Sequence, residues 1–297
     1  MIKNFIKEHH LEYYEEANLK RYNTYRIETI CKYLVFPKTK EELRDLLKYL
    51  NNSKERYIVL GNGSNVIFKN VYYDGVIIIL TKLNKIIIDD DIIEVDAGYS
   101  LQKLALETCS LGLEGLEFAC GIPGHIGASI AMNAGAYNSS LSEVVESVEV
   151  INSNYEFVTM TKEELEFDYR NSLFKREKEY IIVSAIIKLN RGNKAEILEK
   201  ISKRRVKRIE TQPLDMPSAG SVFRNPPGMP AAGALIEQCG LKGYNIGGAE
   251  VSNKHANFIV NAGGATGKDI VKLINKVKKE VKEEFNVDLI LEQIIID

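Results

Sequence analysis

Cysteine is scarce: Cys31, Cys109, Cys120 and Cys239 stand far apart in 297 residues, with no CxxC pair and no histidine at ligand spacing. Neither a disulfide framework nor a zinc site is expected, and the four read as reduced thiols. An excess of one charge is missing too. The 39 basic and 41 acidic residues leave a net charge of −2 and no single-sign tail, which gives nucleic acid or a membrane surface no electrostatic footing. No run of about 20 apolar residues is present that would span a bilayer. Residues 1–16, MIKNFIKEHHLEYYEE, place charges every few positions and offer no apolar stretch suited to a signal peptide. The expected location is the cytoplasm. Repeats and low-complexity segments are absent. So is a GxGxxG opening a helix after the first strand, which leaves a doubly wound dinucleotide domain unsupported.

What is present is material for a full core: hydrophobic residues make up 45% of the chain, and this length accommodates two or three compact lobes. Residues 2–20 are charged with spaced apolar positions and predict a leading helix, an extension to the rest. CKYLVFP, TKEELRDLLKYLNN and RYIVLGNGSN then read as strand, helix, strand and glycine loop. Thr39 and Glu42 form a capping box before Leu43, Leu46, Leu47 and Leu50, whose spacing makes one buried helical face. The β-branched runs at 76–80 and 85–98 predict strands broken by an Asp-rich turn. Ser100 caps a short helix that Gly112 ends, and strands at about 144–151 and 180–189 close this lobe. Residues 194–212 form a charged helix and the best candidate boundary. Its basic run from Lys203 to Arg208 reads as a solvated helix face rather than a phosphate contact. Beyond it come a helix in AAGALIEQCG stopped by Gly240, the strand NFIVN, the long helix TGKDIVKLINKVKKEVKEEF and a final strand, DLILEQIIID. The expected organisation is a helical extension over 1–20, two lobes over 21–84 and 85–192, and a C-terminal domain over 193–297.

Two stretches of small residues carry the chemical signal. LGNGSNVIF follows a strand, so its glycines allow a sharp turn that presents amide N–H groups to an anion. Alone, GNGSN is better explained as an ordinary tight turn. In GIPGHIGAS, Gly121, Gly124 and Gly127 recur at every third residue, Pro123 fixes one turn, and Ser129 offers a hydroxyl. Such a ribbon suits close approach to a flat ligand. Backbone packed on backbone also needs Gly and Ala, and for one loop that explanation is preferred. Two such loops from adjacent lobes point instead to a large planar ligand with a diphosphate, requirements that FAD satisfies.

The stretches LGNGSNVIF, GLEGLEFACGIPGHIGASIAMNAGAY, YRNSLFK, PSAGSVFRNP and GLKGYNIGGAEVSNKHANFIVN, in this order, closely resemble the bacterial UDP-N-acetylenolpyruvoylglucosamine reductase family, from about residue 20 to the end. The resemblance implies two α/β lobes with the FAD-binding fold of the vanillyl-alcohol oxidase group, followed by an α+β substrate-binding domain. It implies NADPH-dependent, FAD-mediated reduction of UDP-N-acetylglucosamine enolpyruvate to UDP-N-acetylmuramate in peptidoglycan precursor synthesis, without a metal. Few residues separate Pro226 from Ala231, which resembles the family's shorter branch, lacking the Tyr-bearing loop that covers substrate in the longer one.

By the same resemblance, Ser221 matches the proton-donating serine and Arg170 the arginine that engages the enolpyruvyl carboxylate, where a planar fork both positions and stabilises developing charge. The cofactor residues carried over are Gly61, Asn62, Gly63, Ser64 and Asn65, with Gly121, Ile122, Pro123, Gly124, Ile126, Gly127, Ala128, Ser129 and Asn133. FAD is expected to be noncovalent, since the ribbon offers only His125 for a linkage. Arg224, Asn225 and His255, with Lys254, are substrate candidates. Glu292 has an argument of its own. Strand alternation places it on one face with Ile290, Ile294 and Ile296, where a carboxylate needs a partner or a raised pKa; the family's second catalytic acid also aligns there, although Ile290 replaces the first residue of the family's frequent ExE. Two rival readings stay open at this point: another FAD oxidoreductase of the same fold, and a flavin- or nucleotide-binding protein without turnover.

Overall fold

The leading segment is only partly helical. In the computed structural model, which describes residues 2–177 and 179–297, helix α1 covers Ile2–Glu8. His10 takes a left-handed φ of 52°, and the chain continues as the strand Glu12–Asn18. The expected helix over 2–20 is thus corrected. Its tyrosines favour a strand, where Tyr13 meets Tyr33 and Tyr14 meets Phe36 edge-on. Nor does α1 behave as an extension: Ile2 and Ile6 are buried in the main core, and Phe5 stacks on Tyr49 with ring centroids 4.3 Å apart.

The chain divides into two units, neither continuous in sequence. The first gathers the stretch ending at Glu15 with Tyr33–Gly61 and Asp74–Arg205; the second gathers Glu16–Lys32, Asn62–Tyr73 and Val206–Asp297. These units cut across consecutive boundaries at residues 20, 84 and 192. The strands Glu12–Asn18, Ile30–Phe36 and Tyr72–Ile79 each contribute residues to both.

The first unit is built on two sheets. One has the order Glu12–Asn18, Ile30–Phe36, Tyr72–Ile79, Tyr57–Leu60, the last two running parallel. Helix α2 (Lys40–Asn52) belongs with it, and Leu43, Leu46, Leu47 and Leu50 form its buried face as the spacing predicts. Thr39 caps α2 through the Glu42 N–H, but the Glu42 carboxylate accepts from the Lys38 N–H, one residue before the cap. The other sheet is antiparallel, in the order Phe157–Thr161, Val145–Ile151, Ile181–Lys188, Ile92–Asp96, Ile86–Asp89. Against it lie α3 (Leu101–Ser110), capped by Ser100, and the short helices α4 (Ile126–Ala131) and α5 (Leu173–Arg176). Gly112, at φ 79°, follows the end of α3. One core of aliphatic side chains serves both sheets.

The division between units falls inside α6 (Lys194–Thr211), in which Ile197 alone is buried. The basic run on this helix is a solvated face, as expected. Lys203 pairs with Glu199 at 2.6 Å, and the Arg204 guanidinium lies 4.6 Å from the Tyr137 ring centroid. Among the described residues no helix is long and apolar enough to cross a membrane.

The second unit packs α7 (Ala232–Gln238) and α8 (Gly267–Phe285) with a three-stranded antiparallel sheet, Asn245–Ile246, Ala249–Val251, Ile259–Asn261. Thr266 and Asp269 form a reciprocal capping box on α8, and Asn286 ends it in left-handed geometry. Ile270, Leu273, Ile274, Val277 and Val281 make its buried stripe. Gly267 has no alternative: a Cβ there would lie 1.8 Å from the Phe68 carbonyl oxygen. The expected final strand is split between two partners. Residues 290–292 pair antiparallel with 222–224 through the Leu291–Phe223 bridge, whereas Ile294–Ile296 pairs parallel with Val66–Phe68.

Candidate active site

Gly61, the first residue of GNGSN, meets the glycine ribbon within the first unit. Gly61 follows the strand Tyr57–Leu60, and a Cβ on it would lie 2.6 Å from that of Ala128. The ribbon is pinned by main-chain bonds to the turn before α3: Ile126 donates to Tyr99, Gly127 to Ala97, and Leu101 to Gly124, each at 2.9 Å. Backbone thus approaches backbone closely, and a Cβ on Gly127 would lie 2.8 Å from that of Ala97. Close packing accounts for the absence of a side chain at Gly61 and Gly127, the explanation weighed beside the ligand in the sequence.

What the packing does not consume is a set of donors. Among the described residues, the main-chain N–H groups of Gly61, Asn62, Gly63, Gly124 and His125 have no hydrogen-bond acceptor. The Nδ1 atom of His125 is buried without a partner, and burial holds this imidazole below its ordinary pKa of 6.5, in the neutral form. Unspent main-chain N–H groups of this kind are the donors that a pyrophosphate requires, so the residues of each loop fit FAD. Asn133 differs from the other cofactor candidates. Its amide donates to the Asp168 carbonyl at 2.9 Å and accepts from the Ser142 N–H at 3.0 Å, so it fixes the segment leading to Arg170.

Arg170 sits in a tight turn in which Asp168 and Asn171 exchange main-chain bonds, and its own φ is 53°. Ser172, next in line, donates to the Ala131 carbonyl at the end of α4 at 2.7 Å. The half-buried guanidinium donates to the Gly135 carbonyl and lies 5.3 Å from the Tyr169 ring centroid. The turn and the ribbon are therefore fastened to one short helix.

In the second unit, Gly63 at φ 63° leaves no space for a side chain, since a Cβ would lie 2.0 Å from the Tyr22 carbonyl oxygen. Ser64 precedes Asn65, whose amide donates to the Glu292 carbonyl at 3.2 Å while its own carbonyl accepts from Ile294 at 2.9 Å. Glu292 in turn donates its N–H to Val222 at 2.8 Å, and Arg224 donates to Ile290 at 2.9 Å. Main-chain bonds thus bring GNGSN, the strand of Ser221 and the strand of Glu292 side by side. Ser221 is half-buried behind Gly220, which has φ 72° and nothing within 4 Å of where a Cβ would stand. Among the described residues the Ser221 hydroxyl has no protein partner. A hydroxyl so placed is available to a ligand.

The face proposed for Glu292 is corrected. Ile290 and Ile294 are 58% and 45% exposed, and the deeply buried positions are Leu289 and Gln293, at 1% and 3%. Ile290 and Ile294 therefore do not enclose this half-buried carboxylate. Of the other substrate candidates, Asn225 accepts from the Ala232 N–H at the start of α7 at 3.1 Å, and Lys254 donates to the Ile209 carbonyl. His255 accepts the Asn257 N–H on Nδ1 at 3.2 Å. Burial, assisted by Lys242, holds its pKa below the ordinary value.

Two residues that position this strand pair were missed in the sequence. Asn257 brackets Phe223, accepting from its N–H at 3.0 Å and donating to its carbonyl at 2.8 Å. Gln293 donates to the Ala219 carbonyl at 2.9 Å and accepts from the Tyr25 hydroxyl at 3.0 Å. A polar residue inside an apolar run, as Gln293 is in LEQIII, was the available signal.

Comparison with known proteins agrees with this arrangement. A family profile described as "FAD binding domain" matches residues 31–161, and one described as "UDP-N-acetylenolpyruvoylglucosamine reductase, C-terminal domain" matches residues 212–296. The chain is 43% identical over 291 residues to the UDP-N-acetylenolpyruvoylglucosamine reductase of Caldanaerobacter subterraneus subsp. tengcongensis, covering 98% of this chain and 95% of that one. It is 39% identical to the Clostridium botulinum protein of the same name, covering 100% and 96%. The crystal structure of the Thermus caldophilus reductase superposes with a TM-score of 0.82 at 34% identity, over 97% of this chain and 99% of that one. A likeness of fold alone extends to Physcomitrella patens BBE-like 1, at TM-score 0.50 and 15% identity over 64% of this chain and 44% of that one. The architecture is the FAD-binding fold of the vanillyl-alcohol oxidase group followed by an α+β C-terminal domain. With relatives of about 40% identity along nearly its whole length, the chain belongs to the UDP-N-acetylenolpyruvoylglucosamine reductase family.

Proposed function

We propose that this protein reduces the enolpyruvyl ether of UDP-N-acetylglucosamine enolpyruvate to the lactyl ether of UDP-N-acetylmuramate, in the cytoplasm, as a step of peptidoglycan precursor synthesis. It is an FAD-dependent oxidoreductase of that family, with NADPH as reductant. The chemistry that bound FAD supplies is passage of hydride from NADPH to the β-carbon of the enolpyruvyl double bond.

The chain's own residues then answer two needs. As hydride reaches the β-carbon, negative charge builds on the α-carbon and its carboxylate. A proton must arrive at the α-carbon, and a cation must hold the carboxylate. Ser221 is the proton donor in this reading, supported above all by a hydroxyl that no described residue occupies. Arg170 holds the carboxylate, Glu292 is the second acid, and Arg224, Asn225 and His255 contact the nucleotide sugar. The loops Gly61–Asn65 and Gly121–Ser129 hold the cofactor through main-chain N–H groups. By role, residues 21–192 serve the flavin and residues 193–297 the substrate.

The test is NADPH oxidation by the purified yellow protein. On adding the enolpyruvyl nucleotide, absorbance at 340 nm should fall in proportion to a product two hydrogens heavier. A protein that binds FAD but consumes no NADPH with this substrate would defeat the reading and favour a different alkene or alcohol as substrate.

A further inference from the structure

The five-stranded sheet ends on one side in the strand Ile86–Asp89, which pairs with Ile92–Asp96 alone. The Asp96 N–H donates to the Lys85 carbonyl at 3.0 Å, and bonded pairs alternate along an antiparallel ladder. Lys85, Ile87 and Asp89 therefore turn their main-chain groups toward Ile92–Asp96, while Ile86 and Ile88 turn theirs outward. Among the described residues no donor or acceptor meets those outward groups. The strand has no proline, and its register contains no bulge. An open edge of this kind is a template for another strand.

Charge is the usual guard on such an edge, and here it stands in a self-complementary order. The segment reads Lys85, Ile86, Ile87, Ile88, Asp89, with its basic and acidic ends equidistant from Ile87. Among the described residues neither the Lys85 nor the Asp89 side chain makes an ion pair. Laid antiparallel on a copy of itself with Ile87 at the centre, the segment sets Lys85 against the partner's Asp89, and Asp89 against the partner's Lys85. The same register puts Ile86 opposite the partner's Ile88, and these are the positions whose main-chain groups point outward. Backbone bonding and charge thus select one register. Ile87, on the outer face, is 61% exposed. Ile86 and Ile88 face the core beside a groove of about 640 Å³ that Tyr99 and Leu111 also line. The sheet's other edge, Phe157–Thr161, carries no charge and is closed at one end, where the Thr161 N–H donates to Glu164 at 2.8 Å.

We propose that the strand Ile86–Asp89 is an interaction surface for a second copy of this chain, joined about a two-fold axis at Ile87 so that the two five-stranded sheets become one. Ile86 and the partner's Ile88 exchange two main-chain hydrogen bonds, and the symmetry repeats them. On the outer face Ile87 covers its counterpart, flanked by the two Lys–Asp pairs. On the core side the isoleucine pairs lie beside the groove at Leu111. An isologous contact of this kind closes on itself and leaves neither strand with an open edge. Formed by residues 85–89 of each copy, it belongs to the weak, reversible class of interface, so concentration governs it.

The test is light scattering of the FAD-bound protein from low micromolar to several hundred micromolar concentration, in which the mass should rise from that of one 33.5 kDa chain toward twice that value. Over the same range hydrogen exchange at the Ile86 and Ile88 amides should slow. Lys85→Asp and Asp89→Lys each set like charges against one another and should weaken self-association about tenfold or more. One variant then carries acid at both ends of the strand and the other carries base at both ends, so an equimolar mixture of the two should recover association close to the wild-type level. A wild-type protein that stays monomeric throughout, a dimer without protection at Ile86 and Ile88, or charge variants that self-associate as the wild type does would each overturn the proposal, as would a mixture that gains nothing over its components. The exchange measurement on the unaltered protein decides the matter even if neither variant folds.

Discussion

Replacing Ser221 by alanine removes one hydroxyl and leaves every main-chain bond of its strand in place, because Val222, Phe223 and Arg224 carry those bonds. Reduction of bound FAD by NADPH requires no proton from this side chain and should stay close to normal. Transfer to the enolpyruvyl nucleotide should fall about 10²- to 10⁴-fold, roughly 3–5 kcal/mol of barrier, as for loss of one positioned general acid. Anaerobic stopped-flow of the two half-reactions separates these outcomes; a variant slowed in the first half alone would place Ser221 at the nicotinamide instead. Arg170→Lys probes the other charge. Lysine keeps the cation but loses the planar fork, so substrate turnover should suffer by about tenfold or more, with FAD content and melting temperature unchanged. Wild-type turnover in that variant would reduce Arg170 to its contacts with Gly135 and Tyr169. At this scale the sequence was informative through its motifs. The neighbourhoods of Ser221 and Glu292 were not legible from alternation alone, because residues 289–297 change partner midway and the buried positions shift to Leu289 and Gln293.

Elements that are stabilised mainly by their own sequence were the readable ones. Helices α2, α3 and α8 carry a cap, an apolar stripe and a stop, and the structure places them within a residue or two of expectation. The strand Glu12–Asn18 and the split final segment were not readable, since their form depends on partners distant in the chain. Gln293 marks the point where the final segment leaves residues 222–224 and joins Val66–Phe68. Its buried amide serves the Ala219 carbonyl and the Tyr25 hydroxyl together, and burial alone drives the Tyr25 pKa upward. Gln293→Leu keeps the bulk but strands those groups, and should destabilise the protein by about 1–3 kcal/mol. Urea unfolding measures this; an unchanged midpoint would mean that water or a neighbour replaces the amide.

For the whole molecule, the cofactor contacts proposed are main-chain N–H groups, with His125 neutral beside them. Such contacts vanish when the backbone unfolds. Acid or heat precipitation should therefore release all yellow colour to the supernatant, and colour retained in the pellet would reveal a covalent link. The consecutive lobes read from the sequence follow chain order, leave the strand Glu12–Asn18 outside the first lobe, and do not give the interleaving of the units, which no local pattern encodes.

That interleaving constrains the order of events during synthesis. The strand Ile294–Ile296 completes its pairing on Val66–Phe68, and the flanking ion pair Lys69–Asp297 spans 228 positions. Tyr25, likewise made early, waits for Gln293. The second unit therefore stays without its closing strand until residues 294–296 have been made, and contacts of such separation fold slowly. Residues 206–297 expressed alone should lack cooperative unfolding by circular dichroism, although they contain both α7 and α8. A sharp thermal transition in that fragment would show that its helices and three-stranded sheet suffice without the early segments.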